Sequence, residues 1–194
     1  ELDASRHRLM QAEVRALRAQ ISPHFIYNSL GAIASFVRTD PDRARELLLE
    51  FADFTRYSFR QHGEFTTLAE ELRSIERYLL LEQARFGDRL RVTLQVAPEV
   101  LNVTVPFLCL QPLVENAILH GLRGREDGGW VRVGVRLEND ALSITIEDDG
   151  VGPGGSTHRG SGTGLANVRE RIALVYGERA VLRTGRGKLG GFAC

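Results

Sequence analysis

The spacing of apolar residues changes near Gly87, and this change divides the chain into parts that must fold differently. Before Gly87, apolar side chains recur every three or four residues, which is the period of one helix face. Beyond it they alternate with polar residues over 90–96, 131–135 and 142–146, which is the period of half-buried strands. Helices followed by a mixed region predict an α+β chain with two domains.

The first domain, residues 1–63, is predicted to be a helical hairpin. Pro41 suits the first position of a helix, and Asp40 before it can accept hydrogen bonds from the free amides of the first turn. Because two helices alone bury little apolar surface, we expect them to meet a second copy in a dimeric four-helix bundle. The apolar positions of the two helices are Leu30, Ile33, Ala34 and Val37, then Ala44, Leu47, Leu48 and Phe51. Leucines that extend the first helix upstream are Leu2, Leu9 and Leu17.

The second domain, residues 64–194, is predicted to be an α/β sandwich. A third helix follows Thr67, which has capping-box spacing to Glu70, and ends near Gly87. Further helices are predicted over 106–121 and 164–176, on one face of a mixed or antiparallel sheet. Seven glycines between these last two helices, from 150 to 164, predict a functional loop.

Charge and cysteine content exclude several classes of protein. The 25 lysine and arginine residues balance 25 aspartate and glutamate residues, so no summed positive field attracts nucleic acid or anionic lipid. Cys109 and Cys194 are too few for a disulfide framework or a zinc site. The longest apolar run is about half of what a bilayer crossing needs, so we expect a cytoplasmic chain without direct membrane contact.

A histidine lies on a polar helix face in the segment 20–28. Gln20, His24 and Asn28 are four residues apart and therefore share one face. Pro23 would cost about 3 kcal/mol inside a helix, so it either kinks a continuous helix or starts a new one capped by Ser22. His24 is thus an accessible nucleophile candidate, and the alternative is a solvated surface histidine.

Asn116 is a polar residue among the apolar residues of the helix predicted over 106–121. A buried asparagine needs hydrogen-bond partners. Its carbonyl oxygen also suits Mg²⁺, which takes its remaining ligands from water and substrate phosphates. Asn116 is therefore a candidate magnesium ligand, and the alternative is a structural asparagine bonded to a neighbouring loop.

Two glycine-containing segments complete the candidate site. Asp148 ends a strand before Gly150 and Gly152, so its carboxylate can accept from the adenine amine while the glycines admit a flat base. The alternative is a tight acidic turn. Glycines over 160–164 lead into a helix whose free amides attract phosphate. This is no Walker A loop, because the single lysine, Lys188, lies elsewhere. The arginines nearest for phosphate contact are Arg159, Arg169 and Arg171.

In this order, the four segments resemble the H, N, G1 and G2 boxes of sensor histidine kinases. The Pro-His-Phe run around His24 and the Glu-Asn-Ala run around Asn116 resemble the LytS-type family, whose ATP domain is of the GHKL (Bergerat) kind. The resemblance covers nearly the whole chain, and four ordered motifs are far more specific than any one of them.

The resemblance implies an autophosphorylating protein-histidine kinase core of a two-component system, with ATP and Mg²⁺ as cofactors. His24 takes the γ-phosphate, Asn28 lies beside it, and the phosphate then passes to an aspartate of a response regulator receiver domain. The family also implies a homodimer and the cytoplasmic part of a membrane-anchored sensor. The implied nucleotide-binding residues are Asn116, which is also the metal ligand, His120, Asp148, Gly150, Gly152, Gly162, Thr163, Gly164 and Leu165.

The chain departs from wider kinase patterns at several positions. Phe25 stands where many kinases have an acidic base after the histidine, so no general base is assigned. Pro112 stands where ATP-hydrolysing relatives have a water-activating glutamate, which argues against a GHKL ATPase. Leu119 stands where many related kinases have a basic residue. His120, the next residue, either takes over a phosphate contact or packs against its neighbours. A further alternative is a non-catalytic, nucleotide-gated dimerisation module. The expected closing strand is cut short at Cys194.

Overall fold

The computed structural model describes residues 22–59, 65–122, 125–152 and 163–194. Among them, residues 22–59 and 80–85 form one compact unit, and the rest form a second. The predicted boundary at residue 63 and the upstream leucines Leu2, Leu9 and Leu17 lie outside the described residues. No helix within the described ranges is long and apolar enough to cross a membrane.

The first unit contains helices α1 (Pro23–Phe36) and α2 (Pro41–Phe59). Asp40 caps α2 as predicted, since its Oδ1 accepts a hydrogen bond from the Arg43 amide at 3.0 Å. Ser22 occupies the capping position before α1 in an extended conformation, so the predicted alternative of a new helix starting at Pro23 is the one observed, but the Ser22 side chain makes no capping hydrogen bond. The fixed φ of proline at the first helical position starts α1 without it.

One side of α1 packs on α2 and another side is exposed. Phe25 and Phe54 pack edge to face with 5.1 Å between ring centroids, and Ile33 and Leu47 are buried with them. Tyr27, Leu30 and Val37 lie on a second face of α1, where they are 75%, 43% and 56% exposed. Within the described residues, α1 therefore carries an apolar face that nothing covers.

The second unit is built on a five-stranded mixed sheet. Its strands are β2 (Leu90–Val96), β4 (Gly129–Glu138), β5 (Ala141–Asp148), β6 (Gly185–Arg186) and β7 (Phe192–Ala193), and they pair in the order β2-β4-β5-β7-β6. β2 runs parallel to β4, and the remaining pairs are antiparallel. Val131, Val133 and Val135 point to the buried face of the sheet, against which the helix Gln111–Leu122 packs. The predicted α+β class and its three longer strands are confirmed.

Three helices belong wholly or partly to this unit: α3 (Leu68–Phe86), α4 (Gln111–Leu122) and α5 (Thr163–Tyr176). The predictions for α3 and α5 are confirmed. The helix predicted from residue 106 is wrong in its start, because Thr104–Pro106 instead forms β3, paired with β1 (Phe65–Thr67). Leu108 then adopts a left-handed φ of 53°, which delays the helix to Gln111.

β5 lacks a strand partner along part of one edge. β4 pairs with its whole length on one side, whereas on the other side only its last residues meet β7. Ile146 and Cys194 exchange two backbone hydrogen bonds of 2.8 and 3.0 Å. In the described part of the chain no strand pairs with residues 141–145 on that side, where a groove of about 580 Å³ is lined by Leu142, Ile144 and Val181.

Candidate functional site

Asp148, the last residue of β5, holds a buried carboxylate with one open oxygen. The residue is 1% exposed, and its Oδ1 accepts hydrogen bonds from the amides of Gly150 at 2.9 Å and Phe192 at 3.2 Å. Its Oδ2 is buried and has no partner among the described residues. Because an unpaired buried acceptor costs about 1–3 kcal/mol, Oδ2 marks a place where a ligand N–H donor fits.

The surroundings of Asp148 shift its ionisation. Burial raises the pKa of Asp148, and the neighbouring charge of Asp149 adds to the rise. The amides of Gly150 and Phe192 and the charge of His120 lower the pKa in part. The carboxylate has thus lost water without gaining a full set of donors, which is the condition for binding a ligand amine strongly.

Glycines surround Asp148 because the backbone passes too close for side chains. A Cβ on Gly150 would lie 2.5 Å from the His120 carbonyl oxygen, and one on Gly191 would lie 2.3 Å from Asp148 Oδ1. A Cβ on Gly121 would lie 3.2 Å from Asp148 Cβ. Gly150 is a predicted site residue, whereas Gly121 and Gly191 are not; the neighbouring Gly190 is the only local sequence signal for Gly191.

Gly152 has a left-handed φ of 74°, so this position favours glycine because of its backbone angle rather than because of close packing.

Asp149, which lies between Asp148 and Gly150, has a structural role. Its Oδ1 accepts from the Trp130 amide at 2.8 Å and pairs with Arg125 at 2.9 Å. Of the two adjacent aspartates, only Asp148 therefore has a buried oxygen without a partner among the described residues.

Asn116 lies half-buried on α4, beside the start of α5. A Cβ on Gly164 would lie 3.6 Å from Asn116 Nδ2 and equally far from Pro112 Cβ. The structure thus brings Gly164, the last glycine of the predicted segment, to the predicted metal ligand, with Leu165 next in α5. Gly162 lies outside the described residues, and of Thr163 only the backbone is described. The amide oxygen of Asn116 is a hard donor that suits Mg²⁺.

Three other polar residues lie on α4 within two helical turns of Asn116. Gln111 donates from Nε2 to Glu115 Oε1 at 2.9 Å, and its own buried Oε1 has no partner among the described residues. Burial raises the pKa of Glu115, and the bond from Gln111 lowers it. His120, one helical turn beyond Asn116, is half-buried near Asp148.

The arginines predicted near phosphate have different surroundings. Arg171 donates from Nη1 to the carbonyl oxygen of Phe107, so its guanidinium is engaged by the protein. Arg169 is exposed on α5, and Arg159 lies outside the described residues.

His24 is exposed near the start of α1 and contacts Asn28 one turn later. Asn28 Nδ2 lies 2.9 Å from His24 Nδ1 and 3.1 Å from Nε2. The Asn28 amide can donate to whichever ring nitrogen of His24 carries no proton. Gln20 lies outside the described residues. His24 belongs to the first unit, and Asn116 and Asp148 belong to the second.

Two family models match the chain. One, described as histidine kinase, matches residues 12–90 and includes His24. The other, described as histidine kinase-, DNA gyrase B-, and HSP90-like ATPase, matches residues 102–190 and includes Asn116 and Asp148.

Curated relatives are similar over most of the chain. Sensor histidine kinase YpdA of Escherichia coli (strain K12) is 38% identical, with 89% of this chain and 32% of that protein covered. Sensor protein LytS of Staphylococcus haemolyticus is 34% identical, with 94% and 33% covered. Sensor histidine kinase/phosphatase LytS of Staphylococcus aureus is 37% identical, with 90% and 32% covered. The chain thus spans about a third of the length of these relatives.

A solved structure, the histidine kinase domain from the Erythrobacter litoralis EL346 blue-light activated histidine kinase, is 16% identical with a TM-score of 0.48. The similarity covers 97% of this chain and 91% of that one.

Proposed function

This chain belongs to the LytS-type sensor histidine kinases, and on that basis we propose that it is an ATP-dependent, autophosphorylating kinase core. The observation that carries the proposal is the open Oδ2 of Asp148, a buried acceptor with no partner among the described residues. Within the intact protein, this core is the cytoplasmic part of a membrane-anchored sensor, and it works as a homodimer.

Asp148 reads the adenine base. Its Oδ2 accepts the exocyclic amine, and Gly150 and Gly152, which follow it in the family motif, lie beside the base. Guanine presents a carbonyl oxygen in place of that amine, so the buried carboxylate would face a second acceptor. Sites of this kind reject a ligand that leaves a buried polar group unpaired. ATP is therefore the preferred nucleotide.

Asn116 and the start of α5 hold the triphosphate. Asn116 offers one amide oxygen as a ligand, and the amides that begin α5 at Thr163 and Gly164 face the phosphates. Mg²⁺, when bound, neutralises charge on the phosphate oxygens. Gly162 and Leu165 complete the same segment, and His120 lines the base end next to Asp148.

His24 is the phosphate acceptor. The lone pair of its neutral imidazole attacks the γ-phosphorus, the bond to the β-phosphate oxygen breaks, and ADP leaves. The proton on the other ring nitrogen then goes to solvent. Asn28 orients the ring through its amide, 2.9 Å from Nδ1. The phosphoryl group passes from His24 to an aspartate on the receiver domain of a response regulator.

Labelling with γ-phosphate-labelled ATP and Mg²⁺ tests the function. The wild type should take up acid-labile label, and His24→Gln should take up none because the nucleophile is gone. His62→Gln, which removes a histidine outside the motif, is the control and should be labelled like the wild type. Acid-labile label retained by His24→Gln would contradict the proposal.

A further inference from the structure

Two charged side chains from different helices hold residues 107–110, here called the lead-in turn because α4 begins directly after it. Glu71 of α3 accepts from the Leu108 amide at 2.7 Å and from the Leu110 amide at 3.2 Å, one bond to each carboxylate oxygen. Arg171 of α5 donates to the carbonyl oxygen of Phe107. The lead-in turn is therefore bonded to α3 and to α5.

The lead-in turn needs this support. Leu108 has a φ of 53°, a left-handed conformation that side chains with a Cβ rarely adopt. Leu108, Cys109 and Leu110 are buried, and Glu71, at 1% exposed, accepts from the amides of Leu108 and Leu110 in place of water. Burial raises the pKa of the Cys109 thiol, Glu71 adds to the rise and Arg171 opposes it, so both charges act at the turn.

The lead-in turn sets where α4 begins. The Leu110 carbonyl accepts the first helical bonds, from the amides of Leu113 at 3.0 Å and Val114 at 3.1 Å. Asn116 lies on the next turn of this helix. Because a helix is stiff over so short a distance, a shift of the lead-in turn shifts Asn116 with it.

α5 meets this part of the molecule at two points. Gly164 lies next to Asn116 Nδ2, and Arg171, seven residues later, bonds to the lead-in turn. Seven residues make about two helical turns, so Gly164 and Arg171 share one face of α5. The distance between the phosphate-facing start of α5 and Asn116 therefore depends on the Arg171 bond.

We propose that Glu71 and Arg171 are positioning residues that fix Asn116 relative to the start of α5, and so control binding of the Mg²⁺-triphosphate end of the nucleotide. The proposal rests on the proposed function, in which Asn116 is the metal ligand. Asp148 is held by the amides of Gly150 and Phe192 instead. Changes at the lead-in turn therefore act on the phosphate end and spare the adenine end.

Calorimetry on the full chain with two probes tests this: ATP with excess Mg²⁺, and ADP with a chelator. Arg171→Ala and Glu71→Gln should each weaken Mg²⁺-ATP binding by about tenfold or more and change metal-free ADP binding by less than about twofold. Arg171→Lys keeps a donor for the Phe107 carbonyl and should recover most of the loss. Glu170→Ala changes an exposed residue of the same helix and should bind both probes like the wild type.

An equal loss for both probes would mean that the residues only support the fold, and unchanged binding of both would mean that they do not position Asn116. Either result overturns the proposal. If Arg171→Ala does not fold, Arg171→Lys and Glu71→Gln decide it by the same comparison. A wild type that binds neither probe would instead overturn the proposed function.

Discussion

The ionised carboxylate of Asp148 lowers the folding stability of the protein when no nucleotide is bound. Burial raises its pKa above the value of an unfolded chain, so the folded state binds the proton more tightly than the unfolded state does. The stability linked to this group is therefore complete below the ordinary aspartate pKa and is lost as the pH rises through the raised pKa. Above that pKa the site holds an ionised acceptor whose benefit appears only when a ligand donates to Oδ2.

Asp148→Asn should separate stability from binding. The amide has the same shape without the charge, so the empty variant should unfold at the same urea concentration as the wild type, or higher, at neutral pH. The difference in urea midpoint between the variant and the wild type should disappear as the pH falls, because the Asp148 carboxylate of the wild type is then protonated. ATP should not raise the melting temperature, since the new NH₂ group faces the adenine amine.

Asp149→Asn is the matched control for this change. It weakens the pairing with Arg125 at 2.9 Å, so the empty protein should lose stability while nucleotide binding persists. A normal ATP-induced rise in the melting temperature of Asp148→Asn would contradict the assignment of the adenine contact.

Gly191→Ala should disrupt the site through a steric clash alone, without any change of charge. The added Cβ would lie 2.3 Å from Asp148 Oδ1 and 2.4 Å from its carbonyl oxygen, so the backbone must move. We expect a loss of about 1–3 kcal/mol in unfolding free energy and a loss of ATP affinity, measured by urea unfolding and calorimetry. Gly134→Ala, whose Cβ meets nothing within 4 Å, should change neither.

Residue types and spacing were enough to single out Asp148, Asn116 and His24 as candidates. They were not enough for Gly121 and Gly191, because the need for glycine there arises from contact with a carboxylate distant in the chain. For the same reason, the sequence placed Arg171 near phosphate, whereas its guanidinium bonds to a backbone carbonyl 64 residues away.

At the scale of elements, local signals predicted the helix starts that depend on local chemistry. Pro41 and Thr67 mark the starts of α2 and α3, and the Thr67 hydroxyl accepts from the Glu70 amide at 3.3 Å. The start of α4 was predicted five residues too early, because the lead-in turn is held by Glu71 from another helix. The strands β1 and β3, of three residues each, went unseen because pairing rather than pattern makes them strands.

The two predicted helix caps of the first unit should behave differently. Asp40→Ala removes the bond to the Arg43 amide and should lower the unfolding free energy by about 0.5–2 kcal/mol in urea unfolding. Ser22→Ala should leave it nearly unchanged, since the Ser22 side chain makes no capping bond. Equal losses for the two variants would contradict the difference in capping.

For the molecule as a whole, the exposed face of α1 is the strongest argument for a dimer. Tyr27, Leu30, Ala34 and Val37 follow a spacing of three and four residues, which is the seam of a helical bundle. The helical hairpin was predictable because the spacing of its apolar residues can be read from neighbouring positions in the sequence. Its partner stays a prediction, because one chain shows only the surface that a second copy would cover.

Leu30→Glu should therefore weaken self-association. A charge in the centre of the seam loses solvent on dimerisation, so sedimentation should show a shift toward monomer at equal concentration. Leu174→Glu makes the same change at a leucine of α5 that is 80% exposed and should leave the dimer intact. Identical sedimentation of all three proteins would count against a bundle through α1.

The buried thiol of Cys109 has a practical consequence. It lies in the lead-in turn, closed off from solvent, and burial raises its pKa, so in the folded protein a thiol reagent should not reach a reactive thiolate there. Modification of Cys109 therefore requires the lead-in turn to open, and the rate of its alkylation measures how often that opening occurs.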